Sequence, residues 1–141
     1  MTDLTLTCSR IIKATPAQVY DAWLNPAKIL RYMTMGPDMR AENARTDPRI
    51  GGRFAFNMVG DQRSPHQGTY TALDPHSRIA FTWETPWSAE GSHVDLRLTP
   101  IAGGTEVVLT HVRFRSEDSR DGHRKGWTGI LERLDGMLVT A

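Results

Sequence analysis

The sequence predicts an α+β protein in which a curved antiparallel β-sheet of about seven strands is covered by one long C-terminal helix. Three observations predict it. From residue 40 to about 113 apolar side chains recur with period two, broken by short turn clusters. In "GHRKGWTGILERLDGML", residues 122–138, Trp127, Ile130, Leu131, Leu134 and Leu138 recur at helical spacing. Finally, the strands carry large apolar residues on one phase and mostly polar ones on the other, such as Arg53, Asn57, Thr82, Asp95, Arg97 and Glu106. One sheet face therefore needs a cover, and the last helix is the only element long enough, at about 20 residues or roughly 30 Å.

Each element has its own signal. "LTLTCSRII" alternates Leu4, Leu6 and Cys8 and opens the chain as a strand. In "TPAQVYDAWLNP", Thr15 is an N-cap, Pro16 suits the first helical position, and Gln18 stands where a capping box needs it. Pro26 ends that helix and starts a second short one, "PAKILRYM". Strands follow in "GGRFAFNMV", "HQGTYTAL", "RIAFTWE", "HVDLRLT" and "TEVVLTHVRF". The turn clusters "GDQRSP", "DPHSR", "PWSAEG" and "IAGGT" lie between them. Links this short join antiparallel neighbours, because parallel strands need long crossovers. No repeat or linker divides the chain, so residues 1–141 read as one domain.

The last helix raises a question. It contains Gly122, Gly126 and Gly129, and each helix-interior Gly costs roughly 1 kcal/mol relative to Ala. Either they let the helix run close to a neighbouring backbone and shape a cavity, or they are tolerated on an exposed face. Gly122 also fits a helix start. Asp118 and Asp121 near that start suit its dipole better than a carboxylate pair for catalysis.

Composition narrows the function. A formal net charge of +1 with scattered basic residues gives no field for nucleic acid. No stretch approaches the roughly 20 apolar residues of a membrane span. No signal peptide is visible and Cys8 is the only cysteine, which together suggest a cytoplasmic protein without disulfides. No nucleophile elbow, Walker loop or dinucleotide spacing occurs, and no two histidines stand at a short metal-ligand spacing. Neither a cofactor nor a metal is therefore expected, and whether any reaction is catalysed stays open.

The strings "IIKATPAQVYDAWLNPAKILRYM", "GGRFAFNM", "GTYTALDPHSRIAFTW", "LRLTPIAGGTEVVLTH" and "HRKGWTGILERLDGML", in that order, resemble the activator-of-heat-shock-protein-90-ATPase-homologue-like proteins. That family sits in the START-like, birch-allergen-like (SRPBCC) superfamily of helix-grip folds. The resemblance covers nearly the whole chain. It implies a cavity between the curved sheet and the long helix. Superfamily relatives bind lipids, sterols or polyketides, some cyclise aromatic polyketides, and others act on partner proteins. Fold alone does not choose among these.

On that frame the candidate cavity wall is Phe54, Phe56, Met58, Tyr70, Phe81, Trp83, Trp127, Leu131 and Leu134. Ligand sites are mostly apolar with a few orienting polar groups. His66 and His111 on inward strand phases, and Arg113 continuing the second, are the candidates for those groups. His123, one turn before Trp127, is a further histidine that could orient a guest or act as a base. The alternatives are a hydrogen-bonded core histidine at 111 and a solvated strand end at 113. Met33 and Met35 in "YMTMGPDM", with Trp87, are placed at the cavity mouth. The expected partner is an apolar, lipid-like or aromatic small molecule, and pairing into a homodimer is compatible with the sequence. The competing readings are a protein-interaction module like the co-chaperone activators, or a cyclase-like enzyme using His66 or His111.

Overall fold

Local chemistry starts the first helix as the sequence requires. The Thr15 hydroxyl accepts from the Gln18 N–H, and the Gln18 side chain returns to the Thr15 N–H, closing the capping box. One residue, Asn25, then ends this helix and caps the next, accepting from the N–H groups of Ala27 and Lys28. The computed structural model describes residues 4–34 and 38–139. Within them the order is β1 (Thr5–Ile12), α1 (Pro16–Leu24), α2 (Pro26–Tyr32), β2 (Arg40–Thr46) and β3 (Arg53–Val59). It continues with β4 (Arg63–Asp74), β5 (Arg78–Thr82), β6 (His93–Ile101), β7 (Gly104–Val112) and α3 (Glu117–Val139).

The strands form one seven-stranded sheet in the order β1-β7-β6-β5-β4-β3-β2, with every pairing antiparallel. Consecutive strands from β2 to β7 are neighbours, as the short turns dictate, and β1 closes on β7 at the far edge. Register slips between Glu42 and Arg45 on β2, where Asn43 takes φ 57°, and between Tyr70 and Ala72 on β4. Such bulges bend and twist the strands that carry them, and the sheet curves. The result is the expected α+β arrangement, with 23-residue α3 set against the inward face.

That face supplies the core. Met58, Ile79, Leu96, Val107 and Leu109 are almost wholly buried, as are Trp127, Ile130, Leu131 and Leu134 of α3. Two polar ties fix how α3 lies. Asp135 is buried on the helix, accepting from the Arg10 guanidinium at 3.0 Å and from the Lys13 N–H at 3.1 Å, which anchors α3 to β1. Arg133 donates to the carbonyls of Tyr32 and Thr34, which anchors it to the end of α2. The three glycines separate: Gly126 is buried, Gly122 has open space where a Cβ would stand, and Gly129 faces only the flexible Arg133 side chain. Close packing thus accounts for none of the cost at Gly122 and Gly129.

Candidate ligand pocket

The interior between sheet and helix is divided, and one part is filled. Around Phe54, Phe56, Tyr70 and Phe81, with Trp23, Ile29 and Met33 from α1, α2 and the residue after it, only about 10 Å³ remains. That is no more than one water needs. Aromatic rings fill it edge to face: Phe54 against Phe81 at 5.2 Å and 84°, with Tyr70 5.4 Å from Phe54. Met33, expected at the mouth, is 3 % exposed and belongs to this packed region, because the end of α2 turns it inward. Met35 lies outside the described residues.

The other part is open. A pocket of about 200 Å³ lies between Met39, Met58, Ser64, His66, Trp83, Thr85, Trp87, His123, Trp127 and Ile130. Sheet register explains the wall from β3 and β4: Met58 stands opposite Ser64, and Phe56 opposite His66. The His66 ring stacks on Phe56 at 5.2 Å and 14°. From α3, His123 and Trp127 share a face because they are four residues apart. Trp127 stacks on Trp23 at 6.2 Å and meets Trp83 at 4.8 Å. Trp87 is 54 % exposed at the edge of the pocket.

The polar groups differ in what they have left to offer. His111 is fully buried, and both its nitrogens are occupied. Trp127 Nε1–H donates to its Nδ1 at 3.0 Å, so the ring proton sits on Nε2 and points to Ser92 Oγ at 2.6 Å. Burial, helped by the nearby His123 and His93, pushes its pKa down to about 3. This imidazole is a structural hinge between β7, the loop before β6 and α3, with no nitrogen spare for a guest. His66 instead uses only Nδ1–H, donated to the Ser64 carbonyl at 3.0 Å. Burial holds its pKa near 4, against the opposing pull of that hydrogen bond. His123 likewise donates Nδ1–H to the Ser119 carbonyl at 2.8 Å. Trp83 Nε1–H is buried with no acceptor among the described residues.

Several expected site residues lie elsewhere. Arg113 is exposed and lies over Gly91; its φ of 69° ends the strand alternation on which an inward side chain depended. Leu131 and Leu134 are core, one residue and about one turn past the pocket's last helical residue, Ile130. Phe54, Phe56, Tyr70 and Phe81 line the packed region. The sequence did not point to Ser64, Thr85 and Ile130 as wall residues, whereas Met39 belongs to the "YMTMGPDM" stretch expected at the mouth. Ser64 shares strand phase with His66, but its neighbours "GDQRSP" read as a turn. Cys8 offers no nucleophile: burial, only partly offset by Arg124, pushes its thiol up to about 11. Among the described residues no group of three or more His, Cys, Asp or Glu could hold a metal ion, and no helix is long and apolar enough to cross a membrane.

A curved seven-stranded antiparallel sheet gripping a long C-terminal helix, with an aromatic pocket between them, defines the helix-grip class of the SRPBCC superfamily. Within it, the chain belongs to the activator of Hsp90 ATPase homolog 1-like proteins, whose family model matches residues 13–139. Solved structures agree. An AHSA1-like protein from Aeromonas hydrophila superposes with a TM-score of 0.82 at 26% identity, covering 94% of this chain and 90% of that one. A protein from Rhizobium leguminosarum gives 0.79 at 25% identity, covering 99% and 96%. One from Nitrosomonas europaea gives 0.85 at 18%, covering 97% and 95%, a likeness of fold. No curated protein matches the chain.

Proposed function

We propose that this protein binds an apolar, ring-sized small molecule in the pocket between β3, β4 and α3. The observation that carries the reading is the hollow of about 200 Å³ walled by Met58, Trp83, Trp127 and Ile130, beside a region that aromatic packing fills completely. A dry apolar cavity of about 150 Å³ takes benzene, whereas drug-sized ligands need roughly 300–1,000 Å³. The guest is therefore a single substituted ring or a short branched chain, smaller than a sterol or a membrane lipid. No carboxylate, ammonium or guanidinium lines the pocket, so the guest is neutral. Burying roughly 250 Å² of apolar surface yields about 6 kcal/mol at 25 cal/mol per Å², less the ordering cost. Dissociation constants no tighter than roughly 40 micromolar follow.

Calorimetry or Trp fluorescence with toluene and p-xylene tests this. Saturable one-to-one binding is expected, and Ser64→Phe, which fills the pocket from β4, is expected to abolish it without lowering the melting temperature. If no ring-sized apolar molecule binds, or if Ser64→Phe binds as well as the parent, the reading fails.

A further inference from the structure

The pocket is apolar in area but carries unmet polar capacity in its wall. His66 is 7 % exposed and lies in the wall. Its Nδ1 faces a carbonyl oxygen, which only accepts, so the ring proton is on Nδ1. Nε2 is then a lone-pair acceptor, and no hydrogen bond reaches it among the described residues. The ring cannot flip to trade nitrogens without losing the Ser64 contact. His123, across the pocket, is pinned in the same way by Ser119. The neighbour of His66, edge to face at 5.2 Å and 61°, is Trp83, whose Nε1–H is buried without an acceptor. Buried groups left unpaired are costly, and native interiors nearly always satisfy them.

An unpaired acceptor in an apolar wall is complementary to a neutral guest that carries one donor. A hydrocarbon, a ketone or an ether has no proton to give His66. A carboxylate would enter a pocket without a counter-charge. A hydroxyl gives its proton to Nε2 and brings no charge with it. We propose that the pocket selects a neutral, ring-sized alcohol or phenol, held by donation of its hydroxyl proton to Nε2 of His66. This rests on the pocket being a binding site, and it adds the class of guest.

The test compares p-cresol, p-xylene and 4-methylanisole, which share a ring and nearly share a shape. Water solvates p-cresol best, so a merely greasy pocket ranks p-xylene above it. Hydroxyl recognition reverses that order, with p-cresol tighter by roughly 5–10-fold, the effect of one good buried hydrogen bond, and with 4-methylanisole no better than p-xylene. His66→Phe keeps a ring against Phe56 and removes the acceptor. It is expected to restore the p-xylene preference while p-xylene still binds. In the parent protein, the ¹⁵N resonance of His66 Nε2 is expected to move upfield on saturation with p-cresol and to stay still with p-xylene, a readout independent of any variant. If p-xylene binds and p-cresol does not bind more tightly, or if the Nε2 resonance ignores p-cresol, hydroxyl recognition is wrong while the pocket stands. If none of the three binds, both readings fall together.

Discussion

At the scale of single residues, two buried imidazoles with opposite duties control how the protein responds to acid. His111 and His66 are both neutral when folded, with pKa values near 3 and 4, whereas the free side chain titrates at 6.5. Below pH 6.5 the unfolded chain therefore takes up protons that the folded chain refuses. Stability is complete above pH 6.5. It declines as pH falls, by at most about 1.4 kcal/mol per pH unit for each group, until the folded pKa is reached. Urea titrations at pH 7.5, 6.5 and 5.5 should show a level upper region and then a falling midpoint, and His66→Phe should make the fall shallower. A midpoint that does not change between pH 7.5 and 5.5 would contradict the neutral, desolvated assignment. The inward phase of both histidines was readable from strand alternation. Their difference was not, because it depends on Ser92 and Trp127, which lie 19 and 16 residues from His111 and reach it only through the fold.

At the scale of elements, β4 is the strand on which the pocket turns. Gly68 lies on it between His66 and Tyr70, and a Cβ there would meet the Thr82 carbonyl oxygen at 2.0 Å and the Phe54 ring at 2.7 Å. Neither can yield cheaply, since one is backbone and the other is locked among aromatic rings. Gly68→Ala should therefore cost about 1–3 kcal/mol or more in denaturant unfolding, and weaken guest binding by displacing His66. An unchanged midpoint would show that β4 has more slack than this. Elements with local signals were legible: the capping box at Thr15, the helix boundary at Pro26, the strands with alternating apolar side chains, and α3. β2, "RAENART", was not, because an edge strand paired only with β3 keeps mostly polar side chains and a bulge. Arg113 was misplaced for a related reason. Alternation holds only while the backbone stays extended, and a φ of 69° interrupts it.

At the scale of the whole molecule, the proposed guest binding would be linked to folding. The pocket walls come from both the sheet and α3, so a guest that fits stabilises only the folded chain. At a concentration of 100 times its dissociation constant it should add about 2.7 kcal/mol, or roughly 10 °C in melting temperature for a chain of this length. A sterol or long-chain lipid should produce no such shift, and if one does, the volume argument is wrong. That argument depends on where the large rings lie rather than on the fold. Trp83 belongs to the walls of both the open pocket and the packed region, and so acts as the partition between them. Chamber size in this architecture is thus adjustable by a single indole. A chain with the same backbone and a valine at that position would join the two compartments into one tunnel, so relatives of similar shape need share no cargo.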